Sequence, residues 1–318
     1  MTEPALDIRS LTVGYQTEAG PLIAVHDVTV AVAPGEILGL VGESGSGKST
    51  LIRGMLRLLG PPGVVVRGSV KLAGRELMDL DEEGLRQRRW SEVSLVPQSA
   101  LNALNPLLTV AEQITDTLQA HGAVTTAAAL ARAVELLTLV GLDPVNLHSY
   151  PHQLSGGMRQ RVALGLAMAL DPPLVVMDEP TTALDVVVER EILQRILTLQ
   201  AERGFAMVFV THDVSLLLEF ATRIGVLYAG RMVELGPVQR FRDGGAHPYT
   251  QGLLGAIPPA IDEQREPSSI PGSPPSLADP PTGCPFHPRC DKGRATCRVT
   301  VPESTHLDGE HEAACHIL

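Results

Sequence analysis

The chain has 318 residues, 44% hydrophobic and only 3% aromatic, enough for a sizeable core filled by Leu, Val, Ile and Ala. Its formal net charge of -11 runs against the basic surface that a nucleic-acid partner requires. Met1-Thr2-Glu3-Pro4 is polar and acidic, unlike a secretory signal, and no apolar run approaches the ~20 residues of a membrane helix. The expectation is a soluble, cytoplasmic protein that meets any membrane through partners.

Leu6–Tyr15 and Leu22–Val32 read as β-rich segments around a turn at Glu18-Ala19-Gly20-Pro21. The apolar run Ile37–Val41 reads as a buried strand. After it comes Gly42-Glu43-Ser44-Gly45-Ser46-Gly47-Lys48-Ser49, then a helical pattern with Leu51, Met55, Leu58 and Leu59 on one face. This is G-x-x-x-x-G-K-[ST] in the strand–loop–helix setting that a phosphate loop needs. Glycines let the backbone wrap so that successive N–H groups face phosphate oxygens, and the helix start adds its positive dipole end. Lys48 can then reach the β- and γ-phosphates and Ser49 can ligate Mg²⁺.

Pro61-Pro62-Gly63 breaks the helix, and Gly68–Ala73 and Ser91–Val96 read as further strands, the second followed by Gln98. Thr109–Leu170 is Ala- and Leu-rich with helical periodicity, broken near His121-Gly122 and Gly141–Pro144. It reads as a helical insertion whose last helix starts at Ser155. The apolar run Pro173–Met177 delivers Asp178-Glu179 at its end. Asp178 can enter a Mg²⁺ shell, and Glu179 can orient and polarise an attacking water. A helix follows over Val186–Arg203, then strands at Phe205–Thr211, Ile224–Tyr228 and Arg231–Leu235. Strands alternating with helices around a phosphate loop predict an α/β fold with a mainly parallel sheet covered on both faces.

Leu154-Ser155-Gly156-Gly157-Met158-Arg159-Gln160-Arg161 places a capping Ser and two glycines at a second helix start able to hold an anion. One ATP does not need two such cradles in one chain, so this one is read as gripping the ATP of a second subunit.

With these motifs in this order, Leu6–Ala256 resembles the ATPase subunit of ATP-binding-cassette (ABC) transporters. The resemblance implies a phosphate-loop ATPase core over residues 1–256 with a helical subdomain about 99–170. It implies adenine stacking on Tyr15, nucleotide binding by Gly42, Ser44, Gly45, Ser46, Gly47, Lys48, Ser49 and Thr50, and Mg²⁺ held by Ser49, Asp178 and Gln98. Ser155, Gly156 and Gly157 fall in the signature, Ala183-Leu184-Asp185 in an inter-subunit loop, and Glu179, His212 and Gln98 in the catalytic set. Met158 stands where the signature usually carries Gln. Residues near Gln98 and Leu101–Leu108 would pass motion to membrane helices. Implied partners are a second ATPase, a heterodimer being favoured, two transmembrane permease subunits and, through the complex, an extracytoplasmic binding protein. No nucleic acid is expected. The implied location is peripheral, on the cytoplasmic face of the cell membrane. A soluble relative acting on DNA or ribosomes fits less well, because there is one cassette, no heptad run and an acidic balance. A binder that holds ATP without hydrolysing it is disfavoured by Glu179 and His212.

His247-Pro248-Tyr249-Thr250, a Pro-rich linker (residues 257–282) and Gly283-Cys284-Pro285-Phe286-His287-Pro288-Arg289-Cys290 resemble the C-terminal extension of oligopeptide and dipeptide permease ATPases. That implies peptide uptake, with nickel or another small solute as the alternative. Within the extension (residues 283–318), Cys284, Cys290, Cys297 and Cys315 are spaced more widely than the short C-x2-4-C pairs of zinc sites. This spacing suits an iron–sulfur cluster better, with Arg289, Lys292, Arg294 and Arg298 offsetting its charge. The family resemblance adds a [4Fe-4S] cluster as the expectation, with zinc as the alternative. His287, His311 and His316 could substitute as ligands, and four unliganded thiols are the remaining alternative.

Overall fold

The computed structural model describes residues 3–18, 20–98, 103–122, 124–181, 184–258 and 268–318. It falls into two compact units. The first is built from Met1–Leu6, Val32–Glu36 and Leu72–Phe209, the second from Asp7–Ala31, Ile37–Lys71 and Val210–Leu318.

In the second unit, β3 (Ile37–Val41) is buried at all five positions, as a continuous apolar run demands. It lies parallel to β9 (Arg223–Tyr228), in the register Leu38↔Arg223 to Val41↔Val226. β10 (Arg231–Pro237) runs antiparallel to β9, so the sheet mixes the two senses. The cause is the two-residue turn Ala229-Gly230. Both residues adopt positive φ (47° and 77°), the conformation that closes a tight hairpin. β1 (Leu6–Thr17), β2 (Gly20–Val32) and β4 (Gly63–Leu72) form a separate sheet in the order β2-β1-β4.

The helix after the glycine loop runs only over Lys48–Met55, burying Leu51, Ile52 and Met55. Leu58, predicted on its buried face, is 39% exposed. The helix stops because Leu56 turns its N–H onto the carbonyls of Gly54 and Ile52 and Arg57 takes a left-handed φ of 50°.

In the first unit, β6 (Val93–Val96) and β7 (Leu174–Asp178) pair in parallel, and β8 (Ala206–Thr211) lies beside β7. A short β5 (Arg75–Glu76) and a helix over Glu82–Arg88 precede them. Helices at Val110–His121, Thr126–Leu139 and Gly156–Ala167 occupy the Ala/Leu-rich stretch. Each begins where a side chain satisfies an early N–H. Thr109 and Glu112 form a reciprocal capping box, and Thr125 and Ser155 cap the other two. Ile114, Ala129, Ala133, Leu136, Leu137 and Val162 are fully buried between them. Among the described residues no single helix is long and apolar enough to cross a membrane.

The Cys-rich C-terminal extension (residues 283–318), for which the sequence predicted no strand, contributes strands to the second unit. β11 (Thr305–Asp308) and β12 (His311–Ala313) form an antiparallel pair, and β12 docks on β10 in the register Glu234↔Ala313. The pairing is pinned by Glu234, whose side chain is 0% exposed. Its carboxylate accepts from the Ala246 and His247 N–H groups, each at 2.8 Å, and from His311 Nε2 at 2.9 Å. A three-residue strand has too little periodicity to be legible beforehand. Helices at Val214–Phe220, Val238–Arg242 and Pro248–Gly255 were likewise too short to predict.

Candidate nucleotide site

In the second unit the glycine loop leaves β3 and enters its helix at Gly47, whose φ is 100°. That conformation favours glycine, and a Cβ there would stand 2.7 Å from the Ala24 carbonyl oxygen. At Gly42 a Cβ would come within 2.2 Å of the Leu227 carbonyl oxygen, so the loop is pressed against β9. No side chain caps the helix start, which leaves its first N–H groups directed into the loop. Lys48 is only 5% exposed, and its Nζ donates to the carbonyls of Gly42 (2.6 Å) and Glu43 (3.1 Å). The buried Ser46 hydroxyl has no hydrogen-bond partner, an orphan polar atom inside the loop. A cradle of N–H groups, an ammonium and an unpaired hydroxyl fits a polyphosphate. The Ser49 hydroxyl at the helix start is the kind of hard oxygen donor that suits Mg²⁺.

Tyr15, expected to stack on adenine, is half-buried with its hydroxyl 3.0 Å from Thr50 Oγ1, so its polar end is tied to the first turn of the loop's helix. His212 is exposed at the end of β8. The next residue, Asp213, caps the following helix by accepting from the Ser215 and Leu216 N–H groups.

The first unit brings three of the remaining candidates to the end of β7. Asp178 is its last residue and is 5% exposed. Glu179 follows with φ 47°, a left-handed conformation uncommon outside glycine. Gln98 Nε2 donates to Glu179 Oε2 at 2.8 Å, across 81 residues of chain. Ser155 Oγ accepts the Met158 N–H at 3.3 Å and so sets the start of the signature helix. A Cβ on Gly157 would meet Val188 Cγ1 at 2.7 Å. Ser155, Gly156 and Gly157 line a cavity of about 710 Å³ that they share with Leu184, Asp185 and Val188. Asp185 caps the next helix through the Val187 and Val188 N–H groups. Ala183 of the predicted inter-subunit loop, Leu101 of the predicted coupling stretch, Ala19 of the first turn and part of the linker lie outside the described residues.

The four thiols of the C-terminal segment are reduced, with Cys284 and Cys297 buried. Burial pushes the Cys284 thiol up to about 11, and the charges of Cys315, Cys297 and Cys290 add to the rise. Burial raises Cys290 and Cys315 in the same direction, again with contributions from the other thiols. Backbone N–H groups approach them: Phe286 for Cys284, Lys292 for Cys290, Ile317 for Cys315, and Arg294 at 3.4 Å for Cys297. Even so, among the described residues no group of three or more His, Cys, Asp or Glu side chains is arranged to hold a metal ion. The expected cluster, or zinc, has no preformed site in this arrangement: burial favours protonated thiols, and ligation requires the sulfurs to draw together as thiolates. The cations expected to offset cluster charge are partly engaged elsewhere. Lys292 Nζ donates to Gln251 Oε1 at 2.6 Å, and Arg289 pairs with Glu43.

Two segments match family models: residues 25–182 match the ABC transporter family, and residues 233–297 match the oligopeptide/dipeptide transporter C-terminal region. The dipeptide transport ATP-binding protein DppD of Caldanaerobacter subterraneus subsp. tengcongensis is 40% identical, over 98% of this chain and 96% of its own. The chain belongs to the ATP-binding subunits of ABC transporters, in the oligopeptide/dipeptide group. A relative from Brucella melitensis biotype 1, named among peptide import ATP-binding proteins, is 41% identical over 98% of this chain and 97% of its own. Among solved structures, the dimeric post-hydrolysis state of the ATP-binding cassette MJ0796, bound to ADP and Pi, aligns with TM-score 0.66 and 31% identity. That alignment covers 73% of this chain and 98% of the other. The protein cbiO1 of Clostridium perfringens, part of the ABC transporter complex cbiONQ, shares the fold at TM-score 0.65 and 22% identity, covering 76% and 91% of the two chains.

This ABC ATPase has contacts at the phosphate loop that the motifs did not announce. The Glu43 N–H donates to Tyr249 Oη at 2.9 Å, and the Glu43 carboxylate receives Arg289. Tyr249 is set by its neighbour: burial holds the His247 imidazole neutral, its pKa pulled down to about 4, so that Nδ1 accepts the Tyr249 N–H at 3.0 Å. The only sequence signal was the His-Pro-Tyr stretch itself, which reads as a proline-started helix and carries no hint of its target.

Proposed function

We propose that this ABC ATPase couples ATP binding and hydrolysis to the uptake of oligopeptides or dipeptides. The observation that carries this reading is the match of residues 233–297 to the oligopeptide/dipeptide transporter C-terminal region, in a chain that also holds a complete phosphate loop. In this reading the loop N–H groups and Lys48 bind the polyphosphate, and Tyr15 takes the adenine. Mg²⁺, held by Ser49, Asp178 and Gln98, would neutralise charge on the phosphates when bound. Glu179, oriented by Gln98, accepts a proton from the attacking water, and His212 steadies the γ-phosphate. Ser155–Gly157 close the nucleotide site of a second ATPase, which closes this one in return. Two permease subunits and an extracytoplasmic peptide-binding protein complete the complex, and the chain sits peripherally on the cytoplasmic face of the membrane.

The test is ATP turnover by the chain alone, by the chain with its partner ATPase and permease in lipid, and with peptide-loaded binding protein added. Turnover is expected to be slow alone and stimulated several-fold in the loaded complex. Full-rate hydrolysis by the isolated monomer contradicts the shared site, and stimulation by nickel but not peptides overturns the cargo.

The proposal extends to the four thiols as ligands of a [4Fe-4S] cluster, with zinc the alternative. Support comes from their mutual electrostatic influence and from the N–H group directed at each sulfur, the kind of donor that tunes cluster thiolates. Anaerobic purification followed by iron and sulfide assay is expected to return about four of each per chain, the stoichiometry of such a cluster. Stoichiometric zinc without visible absorbance defeats the cluster.

A further inference from the structure

Glu43 is the second residue of the phosphate loop, and the C-terminal segment holds it by two of its three polar groups. Its N–H is bound by Tyr249 Oη at 2.9 Å. Its carboxylate is bound by both ends of the Arg289 fork, Nη1 to Oε2 at 2.6 Å and Nη2 to Oε1 at 3.0 Å. The third group, its carbonyl, accepts Lys48 Nζ and the Ser46 N–H from within the loop, each at 3.1 Å. Arg289 is built in rather than laid on. Its side chain is 4% exposed, Nε donates to the Pro271 carbonyl at 2.8 Å, and Nη1 lies 3.3 Å from Tyr228 Oη. Its guanidinium carbon lies 5.8 Å from the Tyr228 ring centroid and 6.0 Å from that of Phe286, and these rings pack on each other and on Tyr249.

A loop that gathers N–H groups and an ammonium for a polyanion is poorly served by an unpaired carboxylate on its second residue, because like charges at close range repel. We propose that Arg289 is a positioning residue for nucleotide binding. By neutralising Glu43 and fixing it from the C-terminal segment, it makes that segment part of the phosphate-loop site. The inference rests on the reading above that Gly42–Ser49 holds nucleotide phosphates. It predicts that Arg289 sets ATP affinity without touching ATP. It also predicts that removing the Glu43 charge repairs the loss of Arg289.

The experiment uses the assembled transporter and reads three quantities: KM for ATP, kcat, and binding of a non-hydrolysable ATP analogue. R289A is expected to raise KM and the analogue Kd about tenfold, the scale of one charge-assisted hydrogen-bonded pair, with kcat changed less than about threefold. The R289A/E43Q double variant is expected to return to within about threefold, a rescue that a packing role would not produce. R289K keeps the charge but not the fork, and carries the test if R289A does not fold; its expected KM rise is about two- to threefold. Unchanged KM in R289A, or in R289K where R289A does not fold, overturns the inference. So does a double variant no better than R289A. Lys48→Ala separates the two claims. Undiminished analogue binding there overturns the nucleotide reading and this inference with it. Loss of binding there, with R289A unchanged, overturns the inference alone.

Discussion

Replacing Glu179 by Gln leaves ATP bound and cuts turnover about a thousandfold, within the range expected when a positioned general base is lost. The carboxylate stands immediately after the buried Asp178 that ends β7, on a backbone held at φ 47°. A left-handed non-glycine residue is uncommon and persists only where its surroundings over-determine it. Here Gln98 supplies one such constraint, through its 2.8 Å hydrogen bond to Oε2. Glutamine keeps the size of the side chain and its hydrogen bond but cannot accept a proton from water. Affinity for ATP is therefore expected to stay within about twofold while single-turnover hydrolysis collapses, a split that separates loss of the base from loss of the site. Single-turnover rates and nucleotide binding measured on the assembled complex check it. Unchanged turnover removes Glu179 from its assigned role.

Lys48→Ala acts at the opposite step, lowering ATP affinity about a hundredfold. The ammonium is nearly buried and anchored on the carbonyls of Gly42 and Glu43, so it is held inside the loop and not free to sample solvent. Alanine removes the one full positive charge that the loop's own residues carry and takes the Lys48 donor from the Gly42 and Glu43 carbonyls, the second of which keeps the Ser46 N–H. The affinity loss follows from the charge. A smaller destabilisation, about 1 kcal/mol, follows from the lost hydrogen bonds. Equilibrium ATP binding and a denaturant midpoint on the same preparation distinguish the two effects. A variant that binds ATP as wild type does overturns the reading of Gly42–Ser49 as the nucleotide site.

Much of the candidate site was legible because its parts are local. The strand–loop–helix order around Gly42–Ser49, the apolar run ending in Asp178-Glu179 and the Ser-capped start of the signature helix each lie within a dozen or so residues. Over such spans, burial periodicity, glycine conformation and capping chemistry act directly on the chain. The weaker readings also have local causes. The helix after the loop was drawn too long because its apolar spacing continues to Leu58 and Leu59. The left-handed Arg57 is what ends it, and no proline or glycine marks the place. The antiparallel return of β10 hung on Ala229-Gly230, a turn whose first residue is not one that usually announces a hairpin.

The sequence alone therefore placed a glycine loop between a buried strand and a helix, and two carboxylates at the end of another buried strand, because each pattern is written in neighbouring residues. Tertiary structure decided who holds the loop in place. Tyr249 reaches Glu43 across 206 residues and Arg289 reaches it across 246. β12 completes the edge of β10 from the far end of the chain. Contacts at such separations leave no periodicity to read. They exist because burying Tyr228, Tyr249 and Phe286 together brings the C-terminal segment onto the loop, and a buried guanidinium there must find a carboxylate.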